Sequence, residues 1–236
     1  MALPLYLAQT QGEMSGNLSP LKIAYMACHF SPGGSGLSNL PKILPPGTML
    51  ILDDSTPMED HSPEKILLQL TDVMQRSQCE ALLLDFQRPG IDIQQKLAHL
   101  LCQALPFPVG VSEIYGTELS CPVFLPPVPP DGPLAAYILP WQGREIWLEG
   151  ALDGLSLHLT EAGCHPQPLW DFPDDGCSDS RLHCHYRVET TGNTAAFHLW
   201  RTPEDLKALF REAEYLGVSK IIGLWQELRR IFPEQT

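Results

Sequence analysis

The chain has 236 residues, a formal net charge of −13 and 44% hydrophobic side chains. A surface of that sign speaks against a phosphate backbone or an anionic membrane face as partner. The apolar content supplies a large core, and no apolar run reaches the length of a membrane-spanning helix.

The opening stretch MALPLYLAQTQ carries no basic residue; the first is Lys22, so no secretory leader is expected. The seven cysteines are odd in number and irregularly spaced, and Cys28, Cys79, Cys102 and Cys121 fall in or beside apolar runs. That usage predicts a reduced, cytoplasmic protein rather than a disulfide scaffold.

Short apolar runs then recur: LYLAQ (5–9), KIAYMACHF (22–30), TMLILDD (48–54), ALLLDFQ (81–87), PVGVSEIY (108–115), CPVFLPP (121–127) and KIIGLW (220–225). They are continuous rather than alternating, as expected for strands buried on both faces of a parallel sheet. Ser62-Pro63-Glu64 opens a helix whose inner face is Ile66, Leu67, Leu70, Val73 and Met74. Asp92 caps a second, with Ile93, Leu97, Leu100, Leu101 and Ala104 inward, and Thr202-Pro203-Glu204-Asp205 opens a third, stopped by Gly217.

Residues 128–200 differ. They are rich in Pro, Gly, Trp and His and break into short alternating pieces, EIWLEGAL, LSLHLTE, LHCHYRVET and TAAFHLW, with VETTGNTA reading as a hairpin turn. The expected architecture is a single domain over 1–236: a compact, helix-poor α/β barrel of the (β/α)8 type with an antiparallel β insertion at about 128–200. An open doubly wound sheet is the alternative. Against it, SPGGSGLSN after the second strand has neither the Lys of a phosphate loop nor a dinucleotide fingerprint.

Two stretches carry a more specific signal. CEALLLDFQRPG (79–90) ends an apolar run in Asp85, with Gln87 two residues on. FHLWRTPEDLKALFREAEYLGVSKIIGLW (197–225) runs strand, loop, helix, turn and strand, ending in Trp225. Together they resemble glycoside hydrolase family 18, the chitinase-like barrels, and especially its spore-associated, peptidoglycan-acting branch. The similarity covers about half the chain. On the family's pattern D-G-x-D-x-D-x-E, Glu80 takes the first Asp, Ala81 the Gly, Leu83 the middle Asp, Asp85 the last Asp and Gln87 the catalytic Glu. Counting LYLAQ as strand one puts this stretch on strand four, as the family requires.

The resemblance implies a mechanism that this chain lacks in part. The family's Glu protonates the leaving glycosidic oxygen while the substrate's own N-acetyl group attacks the anomeric carbon, and the last Asp orients that group. A glutamine amide donates a hydrogen bond but cannot deliver a proton near neutral pH. Leu83 also removes the acid that would tune Asp85.

Other candidates follow from strand ends, which build the site in such barrels. Asp53 and Asp54 end the preceding strand; Glu113 and Tyr115 end the following one. If they converge, neighbouring charges raise one another's pKa, and Glu113 becomes a rebuilt acid; the plainer reading is that each caps a loop or helix. Trp225 and Tyr115 are candidate stacking surfaces for a sugar ring. The His/Cys-rich segment 164–186 has no C-x-x-C or H-E-x-x-H spacing, so no metal is expected, and no cofactor either.

The expected function is saccharide binding, of N-acetylglucosamine type, without hydrolysis. The alternatives are a working glycosidase with a rearranged acid such as Glu113, and a non-catalytic scaffold. A saccharide is the implied partner; neither nucleic acid nor membrane is, and the sequence does not set the oligomeric state.

Overall fold

The computed structural model describes residues 3–14, 21–58, 61–229 and 231. Eight parallel strands close on themselves. In chain order they are β1 (Leu5–Gln9), β2 (Lys22–Phe30), β4 (Met49–Asp53), β5 (Ala81–Asp85), β6 (Val109–Ser112), β7 (Val123–Leu125), β8 (Ile146–Glu149) and β14 (Lys220–Leu224). Each pairs with the next, β14 pairs back onto β1, and β1 with β2 completes the ring. β3 (Leu37–Ser38) is a short antiparallel addition to β2. The stretch 81–85 is therefore the fourth barrel strand, and it lies in the wall between β4 and β6.

Three long helices pack outside: α1 (Pro63–Ser77), α2 (Asp92–Ala104) and α5 (Pro203–Tyr215). Their starts follow from local chemistry. Ser62 Oγ accepts from Lys65 N with Pro63 in the first turn. Thr202 and Asp205 form a reciprocal capping box ahead of Pro203. Asp92 is the first helical residue rather than the cap, which is Ile91; its charge still complements the positive end of the helix. Gly217, at φ +87°, takes the left-handed position that ends α5. α3 (Glu113–Gly116), α4 (Leu134–Ile138) and α6 (Trp225–Leu228) are single turns, which is why the barrel is helix-poor. Among the described residues, no helix is long and apolar enough to cross a membrane.

The antiparallel sheet occupies Gly154–Trp200, in the order β10 (Gly163–Pro168), β9 (Gly154–Thr160), β13 (Thr194–Trp200), β12 (Cys184–Thr191), β11 (Cys177–Asp179). EIWLEGAL does not belong to it. Ile146–Glu149 runs parallel between β7 and β14 as a wall strand. His183 and His185 fasten the sheet to α5 through Glu212 (2.6 Å) and Asp205 (2.7 Å).

Side chains alternate along each barrel strand. The outward set, including Leu52, Leu82, Leu84 and Val111, packs under α1 and α2, while Leu5, Leu7, Leu148 and Ile221 pack with α5. The inward set fills the barrel: Tyr6, Ala8, Ala24, Met49, Ile51, Ala81, Leu83, Phe124, Trp147 and Ile222. Trp147 is fully buried and lies where a Cβ on Gly110 would have to go, 2.2 Å from its ring. Glu80, at the first position of the family pattern, sits at the opposite end of β5 from Asp85. There it pairs with Lys22 at 2.6 Å and accepts from Tyr6.

Candidate functional site

The alternation that buries Ile51, Leu83 and Trp147 inside the barrel places the residue two further along each strand on the same face, one layer higher. Those residues are Asp53, Asp85 and Glu149. The barrel interior is thus apolar below and acidic at the C-terminal mouth. Asp53 and Asp85 are register partners on adjacent strands.

The electrostatics show that these groups share one space. Burial, with the charges of Asp53 and Asp54 adding to it, holds the Asp85 carboxyl above its ordinary pKa, against the lowering effect of the Gln87 hydrogen bond. Glu149 is pushed up to about 7, first by burial and then by the charges of Asp85, Glu227 and Asp153.

Asp54 is 2% exposed and its carboxylate is fully engaged: it accepts from Gln87 N (3.0 Å), Arg88 N (3.0 Å) and Gln94 Nε2 (3.2 Å). It fixes the loop that carries Gln87 rather than facing the mouth. Asp53 accepts from Ser55 N at 2.8 Å. Gln87 is exposed, and its Nε2 donates to Asp85 Oδ1 at 2.5 Å.

Glu113 opens α3 instead of ending a strand, because β6 stops at Ser112. Its charge and that of Glu149 both act on the Tyr137 phenol, which burial above all holds above its usual range. Tyr115 is buried under the outer layer. Its hydroxyl lies 2.7 Å from Gln94 Oε1, accepts from Ile91 N at 3.2 Å and reaches the Arg88 carbonyl. That hydroxyl is spent on tying down the loop between β5 and α2. Trp225 follows β14 at the same barrel end, but its ring packs against the outer apolar cluster, with the Arg229 guanidinium 4.8 Å above it.

The structure therefore gathers Asp53, Asp85 and Gln87 with Glu149, sets Asp54 beneath them and Glu113 beside Tyr137, and packs Tyr115 and Trp225 elsewhere. Sequence reading missed Glu149. The available signal was EIWLEG, an apolar triplet ending in an acid as MLILD and ALLLD do.

No protein-family model and no curated protein sequence matches the chain. Solved structures do. A family 18 chitinase from Cycas revoluta, a double mutant in complex with (GlcNAc)4, aligns over 99% of this chain and 98% of its own at 12% identity, with a TM-score of 0.62. This chain has the family 18 barrel fold. A family 18 N-acetylglucosaminidase from Paenibacillus barengoltzii aligns over 98% of both chains at 10% identity and a TM-score of 0.61. The spore cortex-lytic enzyme SleL of Bacillus cereus aligns over 94% of this chain and 70% of its own, at 11% identity and a TM-score of 0.59. At such identities the likeness is one of fold, and any role for the mouth of this barrel has to be argued from its own residues.

Proposed function

We propose that the barrel mouth binds a saccharide of N-acetylglucosamine type through Asp53, Asp85, Gln87 and Glu149, and does not hydrolyse it by the family's usual route. The observation that carries this reading is the amide of Gln87 bound to Asp85 in the position that resembles the catalytic pair. Asp85 keeps an acceptor for an acetamido N–H, and the outer lone pair of the Gln87 carbonyl remains for a hydroxyl. No proton is available from the amide. One of the two changes in the Cycas revoluta mutant replaces a Glu by Gln, and that protein is in complex with (GlcNAc)4; a barrel of this fold bearing such a replacement holds a sugar chain.

Titration calorimetry with (GlcNAc)4 tests the reading. The expected result is binding that Asp85→Ala weakens by tenfold or more, about 1.4 kcal/mol, with no turnover of a chromogenic oligomer. An Asp85→Ala variant that binds as well as the wild type would overturn it.

A second reading is favoured by one observation. Glu149, near 7, is partly protonated at neutral pH and shares the mouth with Asp85. An acid held near neutral in its titration is suited to deliver a proton. In that case Glu149, rather than the Glu113 suggested by sequence, gives its proton to the glycosidic oxygen as the bond to the anomeric carbon breaks, while the acetamido oxygen closes on that carbon. Turnover by the wild type that Glu149→Gln abolishes and Glu113→Gln leaves intact would establish it.

A further inference from the structure

A cleft of about 320 Å³ opens between the loop after β7 and the antiparallel sheet. Its walls are unlike those of a sugar subsite. Five proline rings line it, Pro127, Pro129 and Pro130 from the loop and Pro166 and Pro168 from the sheet, together with Leu155. The sheet's contribution follows from its register: Leu155 opposes Pro168 and Leu157 opposes Pro166, so these residues share one face. Proline is tolerated there because, among the described residues, β10 is an edge strand that pairs with β9 alone.

The polar groups of the cleft are few. Asp153 lines it, but its Oδ1 is held at 3.1 Å by Arg201, a side chain 1% exposed that also donates to the carbonyls of Val128 and Pro129. Gln167 supplies the remaining side-chain donor and acceptor. A pyranose carries hydroxyls around its whole edge, and each one buried without a partner costs on the order of 1–3 kcal/mol. An apolar group entering the same space loses nothing and gains about 25 cal/mol for each Å² it hides. The rings are also rigid, so little side-chain entropy is lost on binding.

Asp153 links the cleft to the segment that carries Glu149. Asp153 follows Glu149 on the loop leaving β8, and its charge is among those acting on Glu149. We propose that the cleft receives an apolar substituent, an aryl or short alkyl group, attached to a saccharide whose polar end sits at Asp85, Gln87 and Glu149; the ligand class is an amphipathic glycoside. This rests on the saccharide reading of the mouth and adds a second determinant to it. The volume of about 320 Å³ equals that of roughly ten waters, at about 30 Å³ each, which admits a naphthyl group.

Calorimetric titration with three probes tests the proposal: the methyl and 2-naphthyl glycosides of N,N′-diacetylchitobiose, and 2-naphthol alone. The naphthyl glycoside is expected to bind about tenfold or more tighter than the methyl glycoside. Leu155→Gln and Pro166→Asn should each reduce that gain without changing methyl-glycoside affinity. Pro166 is exposed on an edge strand, so its replacement tests the cleft even if the Leu155 variant fails to fold. Equal affinity for the two glycosides overturns the proposal and leaves the saccharide reading intact. A gain that survives in the Pro166 variant places the aryl group elsewhere and also overturns it. If only the naphthyl compounds bind, and Pro166→Asn weakens them, the cleft stands and the saccharide reading falls. No binding by any probe rejects both.

Discussion

Gln87 Nε2 donates to Asp85 Oδ1 at 2.5 Å, across the two-residue spacing that puts both side chains on the mouth face of the β5 strand end. The contact satisfies one lone pair of Asp85, and on the proposed reading it keeps an amide donor in the place of an acid. Gln87→Glu is nearly isosteric, so packing should hardly change. It places two carboxyls in contact, and like charges at that distance keep one of them protonated. The expected outcome is a rise in turnover of chromogenic N-acetylglucosamine oligomers, bounded by the roughly 10²–10⁴-fold that a general acid contributes. Unchanged rates in a variant that still binds the oligomer would show that position 87 does not face the scissile bond.

Glu149 gives the fold a pH dependence of definite sign. Its carboxyl titrates near 7 in the folded chain, against an ordinary value of 4.5. Between those values the folded state holds a proton that the unfolded state has lost, so stability falls as pH rises through that window and levels off above it. The effect is at most about 3 kcal/mol. Glu149→Gln should therefore leave stability at pH 4 little changed and raise it at pH 8. Urea unfolding of both proteins at the two pH values measures this; equal differences at both would show that Glu149 is not held neutral.

The sequence resemblance would put Leu83 in the place of a middle Asp, and an acid introduced there should fail. The side chain is 1% exposed within the apolar filling of the barrel. Leu83→Asp puts an unpaired carboxyl there, at a cost of about 3 kcal/mol or more. The loss should be greater at pH 8 than at pH 5, because burial raises the pKa of the new group. Thermal unfolding at the two pH values checks both magnitude and sign.

Gly110 and Trp147 divide one volume between them. A Cβ at position 110 would lie 2.2 Å from the Trp147 ring, which is itself anchored by its Nε1 donating to Glu145 (2.8 Å) and by Lys220 Nζ 4.4 Å from the ring centroid. Gly110→Ala should destabilise the barrel by about 1–3 kcal/mol through overpacking. Pairing it with Trp147→Phe should recover part of that loss, a coupling that a double-mutant cycle reads directly.

Seven of the barrel strands were legible because they are buried on both faces, which leaves a continuous apolar run. The eighth was not. In β8 the run is only Ile146, Trp147 and Leu148, flanked by Glu145 and Glu149, so it reads like one more alternating piece of the sheet that follows. The same accident hid the most perturbed carboxyl of the mouth, since Glu149 was never assigned to a strand end. The two-residue spacing predicts that Asp85 and Gln87 share a face, and their hydrogen bond agrees with it. Tyr115 and Trp225 illustrate the opposite limit. Position in sequence puts them just past barrel strands, but β6 turns into a helical turn at Glu113 and β14 gives way to α6 at Trp225. Only the tertiary packing decides where those rings lie.

The antiparallel sheet leaves and re-enters the barrel at one place: Arg201 N donates to Asp153 O at 3.2 Å, so the two ends of a forty-seven-residue excursion (154–200) are neighbours. To the barrel this whole sheet is equivalent to a tight turn. The entropic cost of closing a loop grows only slowly with its length, so the barrel tolerates a sheet of any size at that point. The sheet wall of the cleft is thus an insertion, joined to the barrel at one point of the chain and held to α5 by His183 and His185. Its length and residues are free to diverge while the eight strands and the carboxylates they carry stay in register, and a chain of this kind can change what it recognises without refolding what holds it up.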